Sequence, residues 1–264
     1  PLTSPMNWTG VIPALTTNFR ADGSIDHAAF ARHCRTMLEA GCTGLVCAGS
    51  LGEAATLTSE EKISLVRTAV RAAGGRAPAV IGATRLSCML YNNPVAYRTD
   101  FLPAQVAELA AEHPNLAAVK ESSGDVRRII ALRAAVGERL ALLVGMDDAV
   151  VEGVRMGARG WIAGLVNAFP RESVALFEAA IAGETARADA LYQWFLPLLR
   201  MDTVPKFVQL IKWVQAETGT GTATVRPPRL PLAGAELAAA RRTLREALRR
   251  QLGSSQRQAR RAHR

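Results

Sequence analysis

Short, continuously apolar runs alternate along the chain with longer segments in which apolar residues recur at helical spacing. The continuous runs predict buried strands, and the periodic segments predict helices. The predicted strands occupy residues 10–17, 43–50, 77–84, 88–94, 116–122, 140–148 and 160–167. The predicted helices occupy 24–41, 58–75, 102–115, 125–138, 149–158, 171–200, 204–217 and 235–252. Strand–helix alternation with strands that are apolar on both faces is typical of a parallel sheet covered by helices.

The predicted strands fall one short of a closed eight-stranded barrel, and the place of the missing strand can be located. Only three residues separate the strand at 77–84 from the strand at 88–94. Parallel strands need a crossover of about a dozen residues or more. A helix–strand–helix segment of roughly forty residues, somewhat longer than one βα unit, is therefore predicted to be missing between Ser87 and Cys88.

Two explanations of the gap remain open. Either the segment is absent from the protein, or the sequence joins residues across an omitted stretch. We expect the second, because the loss of a barrel strand should disrupt the core.

The predicted fold class is therefore α/β, a (β/α)8 TIM barrel with a C-terminal helical extension, from which one helix–strand–helix segment is missing. We predict a barrel over residues 8–200, C-terminal helices packed on it over 201–252, and a basic tail over 253–264. Barrels of about 250 residues fold as one domain, which suits a chain of 264 residues.

The net charge of +9 comes mostly from one end of the chain. Residues 241–264 hold nine arginines and one glutamate, so the rest of the protein is close to neutral. No aromatic residues interleave with these arginines, which argues against a nucleic-acid partner. A solvated last helix with a frayed end explains them more simply.

Composition also bears on compartment and cofactors. The four cysteines form no C-x-x-C pair, and the four histidines do not cluster, so we expect no metal site. No apolar run reaches the ~18 residues of a membrane helix. We expect a soluble, cytoplasmic protein without a membrane partner.

In a parallel barrel the carboxyl ends of the strands form the active site, and five predicted strand ends carry polar chemistry. They are GSLGEA at 49–54, YNNP at 91–94, KESSGD at 120–125, GMDD at 145–148 and GLVN at 164–167.

Lys120 is the central candidate, because a lysine at the end of a buried strand costs free energy unless it is used or paired. A desolvated, uncharged amine can attack a carbonyl, as in Schiff-base enzymes. The alternatives are an ion pair with Glu121 or Asp147, or a side chain that reaches out to water.

The other strand ends each allow a functional and a structural interpretation. Tyr91 could move protons to and from a substrate, or it could be an ordinary barrel tyrosine. Backbone N–H groups of the GSLGEA turn suit a carboxylate, although a plain tight turn also explains its glycines. Asp147 and Asp148 could bind a metal, but capping of the following helix is the favoured interpretation.

The motifs are more specific together than singly. In chain order, within residues 8–235, they are GVIPALTTNF, DGSID, GSLGEAATLTSEEK, YNNP, KESSGD, GMDD and RLPL. This series of motifs resembles that of the dihydrodipicolinate synthase / N-acetylneuraminate lyase superfamily. The resemblance implies that Lys120 forms an imine with a 2-oxo acid or its cyclic imine, and that Tyr91 relays protons. It also implies that the Ser50 hydroxyl joins the relay. The backbone amides of Ser50 and Leu51 would hold the substrate carboxylate, and the backbone carbonyl of Ile162 would line the pocket.

Some positions depart from that family pattern. Leu51 stands where most relatives carry a hydroxyl residue. Ala96 stands where the synthases carry an arginine for the second substrate, and Arg98 lies two residues away. Relatives also commonly take a second tyrosine across a dimer contact, from the segment missing here. The resemblance implies a homodimer or homotetramer.

Three stretches, YNNPVAYRTD, KESSGDVRRI and GLVNAFP, most resemble the branch that includes 1-pyrroline-4-hydroxy-2-carboxylate deaminase. This branch implies a cofactor-free lyase or deaminase of the lysine Schiff-base class, which converts that cyclic imine to 2-oxoglutarate semialdehyde and ammonia in hydroxyproline degradation. A 2-keto acid aldolase and a dihydrodipicolinate synthase are alternatives within the class. An inactive barrel that acts as a binding or scaffold protein is the alternative of another class.

Overall fold

The computed structural model describes residues 8–74, 79–80 and 87–262, and their side chains except those of 79–80 and 251–262. Its strands are β1 (Gly10–Pro13), β2 (Leu45–Val46), β3 (Ala79–Val80), β4 (Cys88–Asn92), β5 (Leu116–Glu121), β6 (Ala141–Val144) and β7 (Gly160–Ala163). Its helices are α1 (His27–Glu39), α2 (Ser59–Ala73), α3 (Pro94–Tyr97), α4 (Pro103–Glu112), α5 (Arg127–Val136), α6 (Val150–Arg155), α7 (Pro170–Ile181), α8 (Thr185–Leu199), α9 (Phe207–Thr218) and α10 (Gly234–Ala262).

The strands coincide with the predicted runs but are shorter at their carboxyl ends, where the chain turns into the loops of the site. Residues 77–78 and 81–84 of the third predicted strand lie outside the described residues. The helical stretch predicted at 171–200 is two helices, because Gly183 adopts a φ of 72° that ends a helix readily. Helix α10 runs on to Ala262, through most of the predicted tail.

All strand pairs within the two sheets are parallel. One sheet has the order β1-β7-β6-β5-β4, and a second pairs β2 with β3. An isolated parallel bridge between Ala14 and Val46 joins the two sheets. The strands therefore follow the cyclic order of a (β/α) barrel, and among the described strands β3 and β4 do not pair with each other. This opening lies where the sequence predicts the missing strand.

The sequence is continuous from Ser87 to Cys88, so the expectation that it omits a stretch at this point was wrong. Residues on both sides are built into the fold. The Ser87 Oγ accepts a hydrogen bond of 3.1 Å from the Trp8 indole, and the Cys88 N–H donates to the Asn115 carbonyl at 2.7 Å.

The core has two layers. The inner layer fills the barrel and consists of Trp8, Ile12, Ala118, Leu143 and Ile162. The larger outer layer packs the helices onto the strands. Successive side chains of a strand point to opposite faces, so a strand residue two positions beyond Ala118 faces the barrel interior.

The C-terminal helices pack on the outside of the barrel. Helix α10 contacts α8, where the Trp194 indole donates to the Ala247 carbonyl at 2.8 Å. Within the described part of the chain, no helix combines the length and the hydropathy that crossing a bilayer requires.

Candidate active site

Lys120 lies near the carboxyl end of β5, between β4 and β6. Its backbone is in register with Tyr91 on one side and Leu143 on the other. Two residues beyond Ala118, its side chain points into the barrel mouth. A Cβ atom on Gly145 would stand 2.7 Å from the Lys120 Cε and 1.8 Å from the Ser122 Oγ. The glycine after β6 therefore makes the room that the lysine occupies.

The two carboxylates that could have paired with Lys120 are engaged elsewhere. Glu121 accepts from the Ser123 N–H at 2.6 Å and from the Asn92 amide at 3.0 Å. Asp147 is fully buried and has three donors of its own. Among the described residues, no carboxylate oxygen lies within 4.0 Å of the Lys120 amine, the distance that an ion pair requires. The expected ion-pair alternatives for Lys120 were therefore wrong.

Tyr91 covers the amine from the neighbouring strand. The Lys120 Nζ stands 4.0 Å from the centroid of the Tyr91 ring, a distance at which the ring attracts an ammonium. The Tyr91 Oη accepts a hydrogen bond of 2.8 Å from the Asn93 amide. The phenolic proton of Tyr91 is thereby left available to a group in the mouth.

The GSLGEA turn after β2 forms a second wall. Neither the Ser50 nor the Leu51 N–H donates to a backbone carbonyl within the described part of the chain, so both remain available to an anion. The Ser50 side chain is exposed, whereas Leu51 is 3 % exposed and belongs to the outer core. Leu51 could thus offer a ligand its backbone but not its side chain. A Cβ on Gly52 would stand 2.9 Å from the Leu15 carbonyl oxygen, which explains the second glycine.

A buried ion pair fixes this turn. Glu53 has a left-handed φ of 59° and is completely buried, and its carboxylate accepts from the Lys212 amine at 2.7 Å. Lys212 also donates to the Thr17 carbonyl at 2.8 Å. The Arg226 N–H donates to Glu53 at 3.0 Å. Burial lowers the pKa of Lys212, opposed by the charge of Glu53. The turn is therefore tied to the loop after β1, to α9 and to the segment before α10.

Asp147 braces the loop after β7. Its carboxylate accepts from the Trp161 indole at 3.0 Å and from the N–H groups of Gly164 and Leu165 at 3.0 and 2.7 Å. No side chain caps the helical segment that begins here, so the capping interpretation was wrong. Burial raises the pKa of Asp147 to about 6, opposed by these hydrogen bonds and by the charge of Lys120. No group of three metal-binding side chains occurs in the described residues.

The remaining predicted residues lie around the same mouth. Ile162 lies in β7, the strand that pairs with β6. Its side chain is 2 % exposed and belongs to the inner core. Ala96 and Arg98 lie on the exposed side of the mouth, at the end of the short helix α3. The structure therefore brings Lys120, Tyr91 and the Ser50 turn to one end of the barrel.

Sequence reasoning missed Tyr97 and Asp202 here, and it marked Asn167 only as part of the GLVN strand end. Tyr97 forms a hydrogen bond with Ser50 and lies on the short helix α3. The sequence signal for this helix is Asn93, a capping residue, followed by Pro94. Asn167 is completely buried and donates to the carbonyls of Ala14 and Gly164, both at 2.8 Å. Asp202 lies against Gly164, where a Cβ would stand 2.1 Å from its carboxylate oxygen. Burial and the nearby Asp147 raise the Asp202 pKa well above its usual value, and no sequence signal marks it.

Comparison with known proteins decides the family. The model of the dihydrodipicolinate synthetase family matches residues 7–84 and 77–247. The chain belongs to the dihydrodipicolinate synthetase family. As a member of this family it is a lyase with the TIM-barrel fold.

Curated members of the dihydrodipicolinate synthetase family align over most of the chain. The 4-hydroxy-tetrahydrodipicolinate synthase of Stenotrophomonas maltophilia is 32% identical over 89% of this chain and 95% of the relative. The enzyme of that name from Exiguobacterium sp. is 30% identical over 85% of this chain and 92% of the relative.

Solved structures share the fold. The 4-hydroxy-tetrahydrodipicolinate synthase of Methylacidiphilum fumariolicum SolV superposes with a TM-score of 0.87 at 24% identity, over 92% of this chain and 97% of that one. The chloride-inhibited dihydrodipicolinate synthase of Acinetobacter baumannii, complexed with pyruvate, has a TM-score of 0.84 at 25% identity. The match covers 91% of this chain and 99% of that one.

The family comparison also marks the gap in the barrel. The family model matches in two parts that meet at residues 77–84, beside the Ser87–Cys88 junction. The alignment with the Stenotrophomonas enzyme spans 286 positions but covers 89% of this chain, and 89% of 264 residues is about 235. About fifty aligned positions therefore have no counterpart in this protein, enough for the missing helix–strand–helix segment.

Proposed function

We propose that the protein is a Schiff-base lyase that acts on a small 2-oxo acid or its cyclic imine without a cofactor. The observation that carries the proposal is the Lys120 amine. It points into the barrel mouth with no carboxylate partner among the described residues and with the Tyr91 ring 4.0 Å away.

In the proposed reaction each wall of the mouth has one task. The uncharged Lys120 amine attacks the C2 carbon of the substrate. An imine then forms, either because a 2-oxo acid loses water or because the bond between C2 and the ring nitrogen of a cyclic imine breaks. The N–H groups of Ser50 and Leu51 bind the substrate carboxylate, and the Ile162 carbonyl lines the pocket. Tyr91 and the Ser50 hydroxyl exchange protons with the substrate and the carbinolamine. The imine withdraws electrons from the neighbouring carbon, which is the chemistry shared by aldolases, dehydratases and deaminases of this type.

The comparisons support a pyruvate-like substrate. The named relatives are 4-hydroxy-tetrahydrodipicolinate synthases, and the Acinetobacter enzyme was crystallised with pyruvate. On this basis a synthase that condenses pyruvate with a second substrate is one candidate for the activity.

The second candidate is the deamination of 1-pyrroline-4-hydroxy-2-carboxylate, and Ala96 favours it. Ala96 stands where the resemblance expects the arginine that binds the second substrate of a synthase, and Arg98, two residues away, is exposed. In this reaction Lys120 opens the cyclic imine, and the enamine expels the 4-hydroxyl as water. Hydration and loss of ammonia then give 2-oxoglutarate semialdehyde.

Borohydride trapping tests the proposed function. Incubation with pyruvate or with the hydroxy-pyrroline carboxylate, followed by reduction, should add the mass of the ligand to Lys120, as located by peptide mass spectrometry. Lys120→Met should fold, trap nothing and lose all turnover, whereas Lys206→Met, which removes an exposed lysine on the outside of the barrel, should trap normally. A wild-type protein that traps neither ligand is a binding or scaffold barrel instead of an enzyme.

Product analysis separates the two candidate activities. Ammonia released from the hydroxy-pyrroline carboxylate identifies the deaminase. Consumption of pyruvate only in the presence of the second substrate of the synthases identifies the synthase, and pyruvate released from a sugar acid identifies an aldolase. We also propose that the protein forms homodimers or homotetramers, which sedimentation velocity measures.

A further inference from the structure

The Ser50 hydroxyl has a hydrogen-bond partner that the family pattern does not assign. Its Oγ lies 2.7 Å from the Oη of Tyr97. Tyr97 is the last residue of α3, a single turn that begins at Pro94 and is capped by the Asn93 side chain, which accepts from the Ala96 N–H at 3.0 Å. This turn folds back over the mouth and places the phenol beside the loop after β2.

Tyr91, by contrast, does not bond to Ser50 within the described structure. Its hydroxyl is taken by the Asn93 amide at 2.8 Å. The rings of Tyr91 and Tyr97 meet edge to face, with centroids 5.7 Å apart and planes at 83°, an arrangement that aromatic pairs prefer. One side chain, Asn93, thus orients both phenols, since it holds the Tyr91 hydroxyl and caps the turn that carries Tyr97.

The two phenols also differ in their access to water. Tyr97 is 54% exposed, whereas Tyr91 faces the Lys120 amine in the mouth. A path of hydroxyl groups therefore runs from bulk water through Tyr97 to Ser50, next to the N–H groups that are proposed to hold the substrate carboxylate.

We propose that Tyr97 is the proton-relay partner of Ser50, connecting the active site to solvent from within the same chain, while Tyr91 serves the Lys120 side of the mouth. This inference rests on the proposed Schiff-base function. Tyr97 acts through Ser50, so it is a positioning residue and not a catalytic one.

The step in question is the loss of a proton from the carbon next to the imine. The C3–H bond of the bound pyruvate imine breaks, and its electron pair forms the C2–C3 double bond while the C=N π pair moves to the Lys120 nitrogen. Ser50 Oγ takes the C3 proton as its own proton passes to Tyr97 Oη, and the Tyr97 proton passes to water. In D2O the reverse sequence delivers deuterium to C3.

Two measurements on the wild-type protein and Tyr97→Phe test the relay, both with pyruvate as the probe. The first is borohydride trapping, which reports imine formation. The second is exchange of the pyruvate methyl hydrogens in D2O, followed by NMR. We expect Tyr97→Phe to trap pyruvate to the wild-type extent but to exchange roughly 10²-fold more slowly, the lower end of the range for general acid–base groups.

Matched variants separate a relay from a structural role. Val95→Ala, on the same turn and 79% exposed, should leave both measurements unchanged. Ser50→Ala should slow exchange about as much as Tyr97→Phe, and the double variant should lose little more, because both residues serve one relay.

The outcomes distinguish the two proposals. Exchange in Tyr97→Phe within twofold of wild type, with trapping intact, overturns the relay and leaves the Schiff-base function standing. Loss of trapping in Tyr97→Phe means that the residue only supports the pocket, which also overturns the relay. No trapping by the wild-type protein overturns the proposed function itself.

Discussion

The two walls of the barrel mouth are held in place by different forces. The wall that carries Lys120 belongs to the continuous sheet of β1, β7, β6, β5 and β4. The wall that carries Ser50 follows β2, which has two paired residues with β3 and a single bridge to β1. The first wall is positioned by backbone hydrogen bonds along several paired strands, whereas the second wall has few such hydrogen bonds.

What replaces the ladder on the second wall is the ion pair of Glu53 with Lys212. It ties the turn to helix α9 and to the Thr17 carbonyl in the loop after β1. The comparison teaches that a loop following a short strand can be held in place by buried side chains where the backbone ladder is short. Substitutions on the two walls should therefore fail in different ways.

The largest effect is expected at Lys212. Lys212→Met leaves the completely buried Glu53 without its main partner, which typically costs about 3–5 kcal/mol of unfolding free energy. Chemical denaturation measures this loss. The KM for pyruvate should also rise, because the loosened turn carries the Ser50 and Leu51 amides.

Lys206→Met is the matched control for Lys212. Its ion pair with Glu236 has side chains that are 46% and 53% exposed, so the loss should stay under about 1 kcal/mol. Equal losses in the two variants would show that the buried pair does not anchor the second wall.

The next largest effect is the difference in stability loss between substitutions in the middle and at the edge of the continuous sheet. Leu143 is completely buried in β6, and Leu143→Ala should cost roughly 2–5 kcal/mol through the cavity it leaves. Met89 lies in β4 beside the gap and is only partly buried, so Met89→Ala should cost less than half as much. Equal costs in urea denaturation would mean that the edge beside the gap is packed as tightly as the middle.

The smallest effect is a pH dependence set by Asp147. Folding raises its pKa from 3.8 to about 6, so the folded protein holds this proton in a range where the unfolded chain has lost it. Unfolding then releases a proton, and stability falls as pH rises from about 4 to 6, by at most about 3 kcal/mol. The part of the slope that Asp147 contributes should end at about pH 6.

Asp147→Asn should remove that part of the pH dependence, which melting temperatures between pH 4 and 7 would show. A separate slope from Asp202, whose pKa burial raises well above its usual value, should persist in the variant. An unchanged slope in Asp147→Asn would assign the proton to another group.

Sequence reasoning predicted the elements and the family well, since the strands are apolar runs and the motifs stand at strand ends. It located the gap because a crossover between parallel strands needs about a dozen residues or more and only three are present. This rule does not depend on side chains. It also placed Lys120, Tyr91 and Ser50 together, because the carboxyl ends of parallel strands share one end of the barrel.

The pairing of charges was less predictable. Sequence proximity suggested that Glu121 or Asp147 would hold Lys120, but each finds backbone or amide donors in loops that fold over it. Glu53 and Lys212 are 159 residues apart, and nothing local indicates that they meet. Partners of buried charges are decided by tertiary packing, which periodicity does not describe.

The glycine after β6 has a consequence for attempts to change what this protein accepts. A methyl group at position 145 would collide with both Lys120 and Ser122, so the chamber around the amine cannot be narrowed from that side. Its opposite rim, at residues 95–98, is open to solvent. Libraries that aim to redirect substrate choice should randomise positions 95, 96 and 98 of the rim, keep Tyr97 and leave position 145 alone.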